Sequence, residues 1–176
     1  MLCPILIIGI GNPSRGDDAL GPTLIERLEE RFGGGNLGVE LLTDFQLQVE
    51  YALDLRGREL VLFVDATVAC ESGVCFAQLT AATERGYSSH ALSPEGVLAI
   101  YRKLEGREPP ASFGLMIPGE SFELGAPLSP LARAGLELAQ EFLLARLEQP
   151  QVAAWQAELG PLPGGLAHLR AMNGRL

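Results

Sequence analysis

The sequence is poor in cysteine, in histidine and in positive charge. Three cysteines occur among 176 residues, and no two of them form the C-x-x-C pair that marks many zinc and redox sites. This low number predicts a reducing compartment, and we expect a cytoplasmic protein. The 13 Lys and Arg residues are outnumbered by 22 Asp and Glu, which gives a formal charge of −9 that would repel a polyanion. The composition therefore argues against a nucleic-acid partner.

Long apolar runs are also lacking. The apolar start, residues 3–8, has no basic segment before it, and glycines and charges interrupt it at once, unlike a signal peptide or a membrane span. With 47% hydrophobic residues, the chain has enough apolar surface to form the core of one domain. No apolar repeat requires a second copy, so we expect a monomer with no membrane partner.

Short apolar runs alternate with longer segments of helical period, which is typical of an α/β fold. The predicted strands are 4–9, 38–43, 59–65, 74–79 and 112–117, and the predicted helices are 19–32, 46–56, 94–105 and 130–148. This order indicates a mainly parallel sheet in a three-layer sandwich, with helices on both faces. Ligands of such sheets bind beyond the carboxyl ends of the strands, where the strand order switches.

The periodic pattern covers residues 1–148, which we interpret as a single catalytic domain. In residues 149–176, prolines and glycines break the period. We expect this segment to be an irregular tail that packs on the surface or is mobile.

The glycine-rich stretch GIGNPSRGDDALG, residues 9–21, joins the first predicted strand to the first helix. Such a turn often holds a phosphate, but Ser14 replaces the third glycine of the dinucleotide motif, and Pro13 lacks an N–H donor. The Walker pattern fails at Asp17 and Asp18, where a lysine and a hydroxyl residue are required. One of the two aspartates can stabilise the helix start, as carboxylates there commonly do. The second is then available as a hard metal ligand.

Two further polar residues could join Asp18. Asp65 ends a strongly apolar strand, where its charge needs a partner, although a hydrogen bond to the next turn would suffice. His90 follows the fourth strand in a polar loop, where most histidines have no special function. If all three emerge at one edge of the sheet, two oxygens and one nitrogen form an open site for nickel or zinc. No G-x-S-x-G or H-E-x-x-H motif occurs, so a hydrolase of this kind would use a metal-activated water.

Four blocks in matching order resemble the hydrogenase maturation endopeptidases, which trim a C-terminal extension from the large subunit of nickel-iron hydrogenases. The blocks are IIGIGNPSRGDDALG, LVLFVDA, SSHALSPEGVL and IPGESFELGAPLSP, and the similarity extends from about residue 2 to residue 147. The resemblance implies a twisted five-stranded sheet between helices. It also implies that Asp18, Asp65 and His90 are the catalytic residues and bind nickel carried by the precursor. The substrate's nickel then acts as the recognition signal, and the resting enzyme need hold no metal of its own.

Two departures from the family pattern concern the site. Some relatives have glutamate at the position of Asp18. The D-G-G-T loop that part of the family uses to recognise its substrate is replaced here by Thr43-Asp44-Phe45-Gln46-Leu47, in which Asp44 matches the acid of the loop. Phe45 and Gln46 suggest another subgroup, which processes a soluble, cofactor-reducing hydrogenase. We therefore predict that Asp44, Gln46 and Asn12 contact the substrate.

Two alternative functions are compatible with the sequence. Peptidyl-tRNA hydrolases open with a similar G-x-G-N-P, but they place a histidine soon after it and carry basic residues for RNA, whereas this chain has no histidine before His90 and a formal charge of −9. A chaperone-like module that checks nickel insertion without cutting would use the same three ligands. The chaperone-like module and the protease would therefore have the same site. They differ in whether the large subunit becomes shorter on incubation, which only the protease would cause.

Overall fold

The computed structural model describes residues 3–32, 38–70, 73–83, 92–159 and 167–169. The strands are β1 (Ile5–Ile10), β2 (Val39–Asp44), β3 (Leu60–Thr67), β4 (Val74–Leu79), β5 (Ala111–Pro118) and β6 (Ala167–Leu169). The helices are α1 (Leu20–Phe32), α2 (Tyr51–Asp54), α3 (Pro94–Glu105), α4 (Pro130–Leu147) and α5 (Val152–Gln156). A 3₁₀ turn, Gly16–Ala19, precedes α1. The five predicted strands and three of the four predicted helices are thus at or near their predicted positions.

The strands form one sheet in the order β2-β1-β3-β5-β4-β6. β1, β2, β3 and β5 are parallel, whereas β4 is antiparallel to β5 and β6 is antiparallel to β4. The mainly parallel α/β prediction is confirmed. The chain moves from β1 outward to β2 and then back across to β3, so the switch in strand order lies between β1 and β3. Ligand sites in such sheets are expected at this switch.

Two layers of apolar side chains cover the sheet, one on each face. Leu24 and Leu28 of α1 and Leu136 of α4 pack on one face, whereas Leu98 of α3 and Ala52 of α2 pack on the other. β1 is buried along its whole length, as its uninterrupted apolar sequence predicts. Because helices fill both faces, the strand edge at the switch point is where a ligand can approach.

The predicted helix over 46–56 is largely absent. Only Tyr51–Asp54 is helical, because the chain before it inserts Leu47 into the apolar layer that also holds Ala52 and Leu98. The burial of one leucine therefore overrides the helical period of this segment.

The described part of residues 149–176 contains one helix and one strand. In α5, Trp155 is buried against Phe76 and Phe113, and β6 extends the sheet by pairing with β4.

A disulfide joins Cys70 and Cys75 across the connection between β3 and β4. The sequence carries no signal for this bond, because the cysteine spacing matches none of the usual motifs. Disulfides are more typical of oxidising than of reducing compartments, so the bond weighs against one basis of the cytoplasmic prediction. No helix in the part of the chain that the structure describes is long and apolar enough to cross a membrane.

Candidate functional site

A pocket of about 310 Å³ opens at the switch point, and both predicted carboxylates line it. Asp18 reaches the pocket from the turn after β1, and Asp65 reaches it from β3. The remaining lining residues are Ile10, Gly11, Phe45, Gln46, Leu47, Leu92, Ser93 and Pro94. The pocket therefore combines two acidic groups with a mainly apolar wall.

Asp18 is fixed by the backbone of the glycine-rich turn. The Asn12 N–H donates to Asp18 Oδ2 at 3.0 Å, and the Asp18 N–H donates to the Arg15 carbonyl at 3.1 Å. The side chain is half-buried, and its other oxygen, Oδ1, accepts no hydrogen bond from the described residues. Asp18 is thus oriented by the turn and retains a lone pair for a ligand.

Gly11 is the residue that allows this close approach. Its φ of +136° is unfavourable for any residue with a side chain, and a Cβ there would overlap the Asp18 carbonyl oxygen. An alanine would therefore have to push the Asp18 turn away from β1.

We expect Gly11→Ala to lower the free energy of unfolding by on the order of 3 kcal/mol, because strain and overlap add. Gly106→Ala is the matched control, since Gly106 also has a positive φ (65°) but a Cβ there would meet nothing within 4 Å. That control should lose only about 1 kcal/mol. Urea unfolding of both variants measures the difference, and equal losses would contradict the close approach at Gly11.

Asp65 lies within β3 and not at its end, because the strand continues to Thr67 and pairs Asp65 with Met116 of β5. Its Oδ1 accepts the Ala66 N–H at 2.7 Å, so the predicted bond to the next residues exists as well. Burial raises the pKa of Asp65 to about 6, although the Ala66 hydrogen bond lowers it, and the nearby charge of Asp18 adds to the rise. The two carboxylates therefore interact in one partly desolvated pocket, where a cation would relieve their repulsion.

His90 lies outside the described residues, and its role stays a prediction. The argument that places it at the same edge by following a strand end is wrong, because β4 is antiparallel and ends with Leu79 beside Ser112. The chain nevertheless returns to the pocket at Leu92, Ser93 and Pro94. Among the described residues, no group of three or more His, Cys, Asp or Glu side chains could hold a metal ion. A metal bound here needs ligands beyond Asp18 and Asp65.

The three predicted substrate contacts are distributed around this edge. Gln46 lines the pocket with the carboxylates. Asp44 lines a neighbouring cleft, where its oxygens accept the Tyr51 hydroxyl at 2.9 Å and the Phe45 N–H at 2.6 Å. The pKa of Tyr51 is raised to about 12, mainly by burial, and the hydrogen bond to Asp44 and the negative charge of Asp44 add to the rise. The Asn12 amide oxygen accepts the Ser14 N–H, so the Asn12 side chain shapes the turn.

Asp17 does not stabilise the start of α1 by capping, contrary to the expectation for one member of the pair. Its carboxylate is fully buried and accepts the N–H groups of Glu120 (2.8 Å), Ser121 (3.0 Å) and Ser129 (2.7 Å). Burial raises the pKa of Asp17, but these backbone hydrogen bonds outweigh burial and the net effect is a lowered pKa. Sequence reasoning missed this partner, because nothing in the acidic pair points to a segment one hundred residues away.

Sequence reasoning also missed the apolar wall. Ile10 and Leu47 are buried beside the carboxylates, whereas Phe45 is 61% exposed at the rim. The wall reduces the contact of Asp65 with water and thereby contributes to its raised pKa. The only sequence signal was Phe45 itself, which stands out in the segment after β2.

Comparison with known proteins finds a hydrogenase maturation protease of similar sequence. The Escherichia coli K12 hydrogenase 2 maturation protease is 28% identical over 165 residues, which cover 85% of this chain and 94% of that protein. Over most of its length, this chain is therefore similar in sequence to a hydrogenase maturation protease. No protein-family model matches the sequence.

Solved structures of maturation proteases share the fold. The hydrogenase maturating endopeptidase HybD from E. coli matches with a TM-score of 0.64 and 25% identity over 83% of this chain and 93% of that chain. The NiFe hydrogenase maturation protease HycI from Thermococcus kodakarensis matches with a TM-score of 0.63 and 27% identity over 83% and 91%. These maturation protease homologues confirm the predicted fold and the predicted class of enzyme, a peptidase.

Proposed function

We propose that this maturation protease homologue is an endopeptidase that removes the C-terminal extension of a nickel-iron hydrogenase large-subunit precursor after nickel insertion. The observation that supports the proposal most directly is the shared pocket of Asp18 and Asp65 at the switch point of the sheet. The precursor is the partner that the maturation protease relationship favours.

The two carboxylates are suited to a divalent cation that arrives with the substrate. Carboxylate oxygens bind divalent metals, and two negative charges held together in a partly apolar pocket are stabilised by a cation. Asp18 and Asp65 alone give an incomplete coordination shell. The shell would be completed by His90, which the family resemblance implies, and by ligands that the nickel brings from the precursor.

In this arrangement, nickel positions the peptide as well as marking it. Binding of the metal between Asp18 and Asp65 would place the adjoining C-terminal segment of the precursor against the apolar wall of Leu47 and Phe45. The pocket lining contains no cysteine, so we propose water as the nucleophile.

We also propose that Gln46, Asp44 and Asn12 help to select the precursor. The cytoplasmic location and the monomeric state remain predictions.

Nickel loading of the substrate is expected to decide whether cleavage occurs. A purified nickel-loaded precursor should shorten on a denaturing gel when incubated with the enzyme, whereas the nickel-free precursor should remain uncut. Because the metal comes with the substrate, treating the enzyme with a chelator and removing the chelator beforehand should leave the rate unchanged. Equal cutting of both precursors would contradict recognition through nickel.

The same assay separates the protease from a nickel-checking module that does not cut. The module would bind the nickel-loaded precursor, detected as a stable complex by gel filtration, but the mass of the large subunit would stay constant. Intact-mass spectrometry of the precursor after incubation therefore decides between the two.

A further inference from the structure

The segment after β5, residues 119–129, is attached to both elements that carry the site carboxylates. At its start, the Gly119 N–H donates to the carbonyl of Thr67 at 2.9 Å, two residues beyond Asp65 on β3. Further along, the Gly125 N–H donates to the Ser14 carbonyl at 2.8 Å, in the turn that leads to Asp18. The segment therefore bridges the ends of β3 and β1 at the edge where the pocket opens.

Asp17 is the centre of this bridge. Its Oδ2 accepts the N–H groups of Glu120 and Ser121, its Oδ1 accepts the Ser129 N–H, and its own N–H donates to the Ser121 carbonyl at 2.7 Å. The packing around it is tight, since a Cβ added at Gly119 would lie 2.9 Å from the Asp17 Cβ. Both ends of the 119–129 segment are thus fixed by one side chain that is fully buried.

We propose that Asp17 is a positioning residue that sets the separation of Asp18 and Asp65 by holding the 119–129 segment against both of their elements. Asp17 precedes Asp18 in the chain, so a shift of its backbone moves Asp18 directly. The role in cleavage rests on the proposed function. The role in geometry does not, because it follows from the hydrogen bonds alone.

Asp17→Asn is the sharpest test, because it preserves shape and changes one acceptor into a donor. Whichever oxygen becomes the amide nitrogen, an N–H group of Glu120, Ser121 or Ser129 then faces another donor. The control is Leu143→Ala, which removes apolar packing in α4 far along the helix from Ser129 and should destabilise the fold without touching the bridge. Both variants are assayed at a temperature where circular dichroism shows them folded.

With nickel-loaded precursor, Asp17→Asn should lower kcat on the order of a hundredfold, as expected for misplaced reacting groups. KM should change little, because a protein substrate also contacts surface outside the pocket. Leu143→Ala should retain the wild-type kcat. If folded Asp17→Asn cuts as fast as Leu143→Ala, Asp17 is only structural and the positioning role is wrong.

Amide hydrogen exchange provides a readout that does not need the precursor. In Asp17→Asn, protection should fall at Glu120 and Ser121, and also at Asn12, whose N–H donates to Asp18. In Leu143→Ala, protection at these three amides should fall by no more than the loss in the free energy of global unfolding. Unchanged protection at Asn12 in Asp17→Asn would overturn the positioning role. A wild type that cuts no precursor, with the exchange pattern as expected, would overturn the proposed function alone.

Discussion

Asp18→Ala is expected to leave the nickel-loaded precursor uncut, with kcat/KM reduced by at least about a hundredfold. The substitution removes one of the two carboxylates in the pocket, so the nickel loses a ligand and the scissile peptide loses its position. The fold should tolerate the change, because Asp18 is half-buried and, among the described residues, its carboxylate accepts one hydrogen bond, from the Asn12 N–H. Loss of activity in a folded variant then reports on chemistry and not on stability.

Two further variants sharpen this result. Asp18→Glu retains the charge and lengthens the side chain by one methylene, so it should retain part of the activity. Glu29→Ala removes the same charge from an exposed position on α1 and should cut like wild type. The comparison uses gel analysis of nickel-loaded precursor with each enzyme. Normal cutting by Asp18→Ala would contradict the role assigned to Asp18.

Asp65→Asn is expected to abolish cleavage and at the same time to stabilise the protein at neutral pH. The raised pKa of Asp65, about 6 against 3.8, means that the folded state holds the ionised carboxylate poorly. This difference corresponds to roughly 3 kcal/mol of destabilisation once Asp65 is ionised in both states. A neutral amide of the same shape avoids most of that cost, so we expect a gain of roughly 2 kcal/mol at pH 7.

The pH dependence of this gain has a definite sign. Below about pH 4 the carboxyl is protonated in both folded and unfolded chains, and Asp65 imposes no penalty. Between about pH 4 and pH 6 the unfolded chain ionises first, so the folded state binds more protons and wild-type stability falls as pH rises. Above about pH 6 the penalty is constant. Asp65→Asn should therefore match wild type near pH 4 and exceed it near pH 7.

Urea unfolding of wild type and Asp65→Asn at both pH values measures the effect. Asp17→Asn serves as the opposite case, because the pKa of Asp17 is lowered by its backbone hydrogen bonds despite burial. Its ionised form stabilises the folded state, and that stability is lost as pH falls through the folded pKa, so Asp17→Asn should be less stable at pH 7. An Asp65→Asn variant that is less stable than wild type at pH 7 would contradict the prediction that the ionised Asp65 carboxylate destabilises the folded state.

Much of the fold follows from sequence pattern. The uninterrupted apolar runs of β1 and β3 identify the central strands, and Ser93-Pro94 and Ser129-Pro130 mark the starts of α3 and α4 through their capping side chains. The convergence of Asp18 and Asp65 was also predictable, because parallel strands place their carboxyl ends at one edge. These features depend on local chemistry and on a general rule of sheet topology.

Other features depend on contacts between distant segments and carry no local signal. The division of roles between Asp17 and Asp18 requires knowing where residues 120–129 lie. The insertion of Leu47 into the core overrides helical periodicity, and the antiparallel direction of β4 changes the route by which the chain returns to the pocket. In each case long-range packing decides between alternatives that the sequence leaves equal.

The central claim is that Asp18 and Asp65 bind nickel that arrives with the substrate. X-ray absorption at the nickel edge tests it most directly. The nickel-loaded precursor is measured alone, then rapidly frozen with wild-type enzyme, and then mixed with each of the inactive variants Asp65→Asn and Asp18→Ala. We predict that wild type adds oxygen ligands to the nickel and that each variant adds fewer. A nickel spectrum that is unchanged by wild-type enzyme, in a mixture that goes on to cut the precursor, would contradict the claim.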